Sequence, residues 1–294
     1  MAAYQYTPLD TSTPTIRVVL KAGPWNLGIQ CELRERALID QPSYETLSYC
    51  WGPQTNLKPI SLHGCAHHVT VNLEAALRHL RSEDADRVLW VDALCINQQD
   101  LEEREKQVEK MYDIYKAATR VVSWIGDATE DSNVAIKLIR EFGSFSQNLW
   151  KGKYDDVIAD IDGTDAGFQA RSEILEMLGV STSTQIWNSL WKFFDRPYWE
   201  RIWIIQELFA DGLLDKSRGI IMCGKAIVER VWYDYTCTTL VTTIMASSSR
   251  FQANSFTLDE PMRSLALRGH HPAGITMFQT ICGCQYNASR GWRS

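Results

Sequence analysis

Apolar positions recur along the chain with periods of two and of about 3.6, and the changes of period mark the elements. TIRVVL (15–20) and IQCELRERAL (29–38) read as strands joined by the turn AGPWNLG, an antiparallel hairpin within an N-terminal region 1–43. YETLSYCWG (44–52) is a short strand running into an aromatic loop that glycine closes. PISLHG and HHVTV form a second hairpin, after which Asn72 is placed to cap a helix with Leu73, Leu77 and Leu80 on one face.

VLWVDALCINQQD (88–100) predicts a buried strand, Val88 to Val91, that breaks at Asp92 into a polar loop. Asp100 with Glu103 then has capping spacing, and Leu101, Val108, Met111, Tyr112, Tyr115 and Ala118 stripe one continuous helix. RVVSWIGD (120–127) is a further strand ended by glycine. Strand, loop and helix thus repeat over 44–127, which argues for an α/β fold with a mainly parallel central sheet flanked by helices. A helical insertion occupies about 130–195, interrupted by a Gly/Asp-rich link at 151–167. GIIMCG (219–224) and a helix over 226–250 close the domain within 213–255, and 256–294 is an irregular tail.

Residues 198–209, YWERIWIIQELF, predict a helix with two buried sides, started by Asp195 and Pro197 and ended by Gly212. Tyr198, Ile202, Ile205 and Phe209 share one face with Leu208 beside them. Trp199, Trp203 and Glu207 recur at i, i+4 and i+8 on the other, where a surface helix carries Lys or Gln.

Composition narrows the chemistry. The chain has 294 residues, 45% of them hydrophobic, and a net charge of −6 with dispersed Lys and Arg, which gives no basic footprint for nucleic acid. No apolar run reaches the ~20 residues of a membrane span, and the N-terminus lacks signal-peptide character, so a cytoplasmic protein with its eight cysteines as free thiols is expected. His63, Cys65, His67 and His68 fall on alternate faces of a hairpin, and Cys282 and Cys284 with His270 and His271 are isolated, so no metal site is expected. Phosphate-binding glycine motifs are absent. Cys95 has no histidine near it in sequence, leaving a thiol hydrolase as a remote alternative.

Three blocks, YETLSYCWG, LWVDALCINQQDLEEREKQVEKMYDIYKAATRVVSWIGD and RPYWERIWIIQELFA, resemble the heterokaryon-incompatibility (HET) domain of filamentous fungi from residue 44 to about 210. The CINQ, IY-x-x-A and WIIQE elements carry the resemblance; the Arg-Asp-Lys-rich motif into which such proteins commonly continue has no counterpart here. The resemblance implies a part in fungal non-self recognition and programmed cell death, with self-association and contacts to other incompatibility proteins. HET domains are similar in turn to the Toll/interleukin-1 receptor (TIR) domain, a flavodoxin-like fold in which some members cleave NAD. Leu47-Ser48-Tyr49 is like the TIR opening strand and loop, and Trp203-x-x-x-Glu207-Leu208 like the segment that carries the catalytic glutamate.

That second resemblance implies NAD as a substrate, with no resident cofactor, and Glu207 as the catalytic carboxylate beside Trp203 as a stacking wall. Nicotinamide leaves neutral from a cation, so one carboxylate near the ribose suffices to stabilise the oxocarbenium-like centre. Alternatively, Glu207 is an exposed residue paired with Arg201 or Lys192. Ser48, Tyr49, Trp51 and Gly52 follow a strand, at the rim where open α/β sheets bind ligands, and equally fit a tight turn packed on the core. Asp92, Asn97 and Gln98 are placed to orient ribose or amide groups, or Asp92 to hold loop amides. The rival function is a non-catalytic module of homotypic interaction and signalling.

Overall fold

In the computed structural model, which describes residues 4–9, 15–18, 21, 23–149, 184–201, 203, 204, 207 and 218–237, the segment ETLSY becomes β4 of a five-stranded sheet. The strands, in chain order, are β1 (Thr15–Val18), β2 (Gln30–Cys31), β3 (Arg34–Ala37), β4 (Glu45–Tyr49), β5 (Leu57–Leu62), β6 (Cys65–Thr70), β7 (Leu89–Trp90), β8 (Arg120–Trp124), β9 (Gly219–Cys223) and β10 (Ala226–Glu229). The sheet runs β10-β9-β8-β4-β7, and β9, β8, β4 and β7 are parallel. Only the first residues of β4 and β8 escape full burial, because a parallel strand is covered on both faces. Ser48 lies opposite Ser123 in this register, so a buried hydroxyl occupies the middle of the sheet near the carboxyl end of β4.

The chain divides into two units, one of residues 1–128 with 201–227, the other of 129–200 with 228–294. The first holds the sheet, which β10 enters with Ala226 and Ile227, and α1 (Val71–Leu80), α2 (Asp92–Cys95), α3 (Leu101–Glu109) and α4 (Met111–Ala117). Its core joins Leu47 and Tyr49 of β4, Val122 and Trp124 of β8, Leu73 and Leu77 of α1, and Ile114 and Tyr115 of α4.

Four local expectations change. The opening hairpin is interrupted: β1 pairs antiparallel with β3, while β2 leaves to pair parallel with β5, whose own antiparallel partner is β6. Thr70, not Asn72, caps α1 by accepting Leu73 N–H, which frees Asn72 to donate to the Cys50 carbonyl (2.6 Å) and accept from Trp124 Nε1 (2.9 Å). The strand ending at Asp92 enters the single turn α2 before its loop. The striped helix is two, α3 and α4, divided at Lys110, whose N–H closes a tight step onto the Gln107 carbonyl. In α3 the buried side chains are Glu103 and Gln107, whereas Leu101 is 66% exposed and Tyr112 in α4 is also exposed.

The second unit is described by α5 (Glu130–Leu149), α6 (Thr184–Phe194), a 3₁₀ turn at Pro197–Glu200 and a helix over 230–237. α5 buries Ala135, Ile136, Ile139 and Phe142 at helical spacing, and Asp131 ties it to Ser189 and Lys192 of α6. Trp199 stacks on Tyr233 at 5.0 Å and donates Nε1–H to the Phe193 carbonyl. At Gly143 any Cβ would meet the Trp232 carbonyl at 2.3 Å, so only glycine allows this close approach.

The helix expected over 198–209 is therefore not one element. It opens as the 3₁₀ turn, Arg201 is non-helical, and helical backbone resumes at Ile204 and Glu207. Trp199 is buried in the 3₁₀ turn, while Trp203 and Glu207 follow the break at Arg201, so the three do not lie on one helix. Residues 226–229, expected as helix, are β10. Ile202, Ile205, Leu208, Phe209, Gly212, the link at 151–167, Cys282, Cys284 and the tail lie outside the described residues.

Candidate functional site

β4 and β7 are parallel neighbours, Trp90 at the end of β7 lying opposite Thr46, and the chain leaving each forms a rim of the first unit. β4 delivers Cys50, Trp51 and Gly52, the glycine at φ 71°, a backbone state that disfavours any side chain. β7 delivers Asp92 at the start of α2. With the Trp203–Glu207 turn, closed by Glu207 N–H to the Trp203 carbonyl (3.1 Å), they enclose a cavity of about 450 Å³, within the range of small-molecule sites.

Trp51, Gly52, Asp92, Gln98, Trp203 and Glu207 all line this cavity. Glu207 is 1% exposed, and Arg201 grips it with two N–H bonds, Nη1 to Oε2 (2.9 Å) and Nη2 to Oε1 (2.8 Å), the fork geometry that suits a carboxylate. The Ser48 hydroxyl donates to Oε2 from within the sheet. The Arg201 pairing foreseen as an alternative is present, but the carboxylate is buried rather than solvated. Trp203, by contrast, is 46% exposed, one turn earlier on the cavity wall.

Asp92 accepts from Trp51 Nε1 (2.8 Å) and from Ala93 N–H (2.7 Å), so it holds both the loop after β4 and its own turn. Burial pushes its carboxyl up to about 6 against these two donors, and the nearby Glu207 charge adds to the rise. Tyr49 hydrogen-bonds to Asp92 from the core, and burial raises its phenol well above the ordinary range. Gln98 spans back to the Asp92 carbonyl (3.0 Å).

Ser48 and Tyr49 thus stand behind the cavity and support Glu207 and Asp92. Asn97 does not line it: its side-chain oxygen accepts Gln99 N–H and its own N–H donates to Glu103. Cys95 is sealed in the core, its sulfur accepting Val91 N–H, and burial raises its thiol, the reverse of what a nucleophile needs. By sequence Arg201 is only a surface partner, Val108 and Met111 belong only to a helix stripe and Arg104 has no assigned role, although all four line the cavity. The spacing of Arg104, Val108 and Met111, i, i+4 and i+7, was the available signal.

Among the described residues no group of His, Cys, Asp and Glu could hold a metal ion, the six described cysteines are free, and no helix is long and apolar enough to cross a membrane. No solved structure matches the chain. It is 29% identical over 257 residues to "Heterokaryon incompatibility protein 6, OR allele" of Neurospora crassa, a match covering 77% of this chain and 36% of the relative, so the chain spans about a third of that relative's length. Residues 44–207, more than half of the chain and a span that includes every residue of the cavity wall, match the family described as heterokaryon incompatibility protein (HET). The chain belongs to the HET family.

Proposed function

We propose that this chain acts in fungal heterokaryon incompatibility as a cytoplasmic effector of cell death, by cleaving the nicotinamide–ribose bond of NAD. The observation that carries the reading is Glu207: a buried carboxylate on a cavity wall, oriented by Arg201 and Ser48, with Trp203 one turn away. Support also comes from topology. Numbered by appearance, the parallel strands stand in the order 2-1-3-4, as in flavodoxin-like sheets, and such sheets bind ligands beyond the carboxyl ends of their strands.

In this reading Trp51 and Trp203 flank the aromatic groups of the dinucleotide, and Asp92 and Gln98 face its polar ones. The C–N bond breaks with its electron pair going to nicotinamide, which leaves neutral. Glu207 stabilises the cationic ribose, and water adds to the anomeric carbon and releases a proton, giving ADP-ribose. Ribose hydroxyls replace part of the Arg201 contact when substrate enters.

The test is nicotinamide release from NAD by the concentrated full chain, followed by chromatography. Glu207→Gln is expected to lower turnover by about 100-fold or more. Trp203→Ala, at a half-exposed position, is expected to lower it while leaving the unfolding midpoint in place. Undiminished turnover in folded Glu207→Gln removes the mechanism. One feature favours a second reading, a non-catalytic interaction module: Leu101 and Tyr112 are exposed where solvent-facing helices carry polar residues. Toxicity that survives Glu207→Gln but is lost in a Leu101→Lys, Tyr112→Lys double variant would select it.

A further inference from the structure

The cavity wall holds two arginines in different states. Arg201 is committed to both oxygens of Glu207. Arg104 is exposed, and among the described residues its guanidinium has no hydrogen bond or ion pair; only its backbone N–H is engaged, to the Asp100 carbonyl. Its position is set by α3 and α4. Arg104, Val108 and Met111 succeed one another along the wall, so the guanidinium stands at one end of an apolar strip.

Why α3 turns this face to the cavity follows from its other side. Glu103 is drawn inward by Arg17 and by the N–H of Asn97, and Gln107, one turn on, is buried with it. With the polar pair fixed inside, residues 104 and 108 are rotated onto the cavity wall. The chain as a whole is acidic, so a cation held at a cavity with apolar and aromatic walls is not part of a general basic surface.

We infer that Arg104 is the anchor for a phosphate or pyrophosphate group of the ligand, fixing which end of a nucleotide lies against α3 and leaving the sugar to Glu207. This rests on the reading of the cavity as a nucleotide site and names the residue that orients the nucleotide in it. Arg104 is a binding residue and takes no part in bond cleavage. A guanidinium suits the role because its planar donors engage two phosphate oxygens at once.

Calorimetric titration of the full chain with ADP-ribose, inorganic pyrophosphate and nicotinamide riboside tests the assignment without relying on turnover. Arg104→Gln is expected to weaken ADP-ribose and pyrophosphate by about 10- to 100-fold, the loss typical of a charged hydrogen-bond pair, and to leave the riboside within about twofold. Arg104→Lys is expected to recover part of the loss, and the unfolding midpoint to stay unchanged because the side chain is exposed. Unaltered pyrophosphate binding in Arg104→Gln overturns the assignment, and so does an equal loss for riboside, which would mean that Arg104 only shapes the wall. A wild-type chain that binds none of the three probes overturns the nucleotide reading itself, and this inference with it.

Discussion

Arg17 with Glu103 and Arg201 with Glu207 are two buried arginine–glutamate pairs in the same unit, alike in chemistry and different in surroundings. Around the first, the contacts are all with the chain's own groups: Arg17 also donates to the Cys95 and Thr7 carbonyls, lies over the Tyr6 ring and approaches the exposed Glu35 at 4.0 Å, and Glu103 also accepts from Asn97. The pair binds the N-terminal segment, β1 and α3 into one body. The second pair is bonded through both carboxylate oxygens, yet its carboxylate borders a cavity that aromatic side chains share. A buried ion pair is therefore weak evidence of function taken alone; the accessible space beside it makes the distinction.

The comparison breaks most readily at Glu103. Glu103→Ala leaves Arg17 charged and enclosed, and is expected to cost about 3–5 kcal/mol by chemical denaturation; a loss under about 1 kcal/mol would mean the pair ties nothing together. Arg201→Met should cost less, about 2 kcal/mol, because water can enter from the cavity to solvate Glu207, and equal losses in the two variants would erase the difference. The smallest effect sharpens the cavity side and depends on pH. Asp92 holds its proton more tightly in the native chain, up to about 6, than unfolded. Its contribution to stability is thus full below about pH 4, declines as pH rises through about 6, and is level above. Because Asp92 as a residue is half-buried beside the cavity, solvent screening reduces the decline to about 1–2 kcal/mol, present in wild-type denaturation midpoints between pH 4 and 7 and absent in Asp92→Asn.

How much of this was legible in the sequence follows the range of the forces involved. β7 and β8 announced themselves because parallel strands covered on both faces read as apolar runs, and the end of the first located Asp92, while the aromatic loop that glycine closes after β4 located Trp51 and Gly52. α3 misled because Glu103 is drawn inside by a partner 86 residues away, Arg17, which no local periodicity encodes, and Gln107 is buried one turn on. The 198–209 segment misled for a related reason: Tyr198 and Trp199 are buried in one unit and Ile204 in the other, so one period was fitted to two elements. Arg201 reads only as a surface partner because spacing gives the partner but not the burial of Glu207.

Asn72 carries a consequence for how the cavity tolerates change. Its amide joins the Cys50 carbonyl to the Trp124 indole, one bond from each end of the same group, so the loop bearing Trp51 is fastened to the neighbouring strand by a side chain that never meets a ligand. Loss of that nitrogen through slow deamidation would set one oxygen against another at Cys50, and an ageing sample would lose the shape of its cavity before it lost its fold.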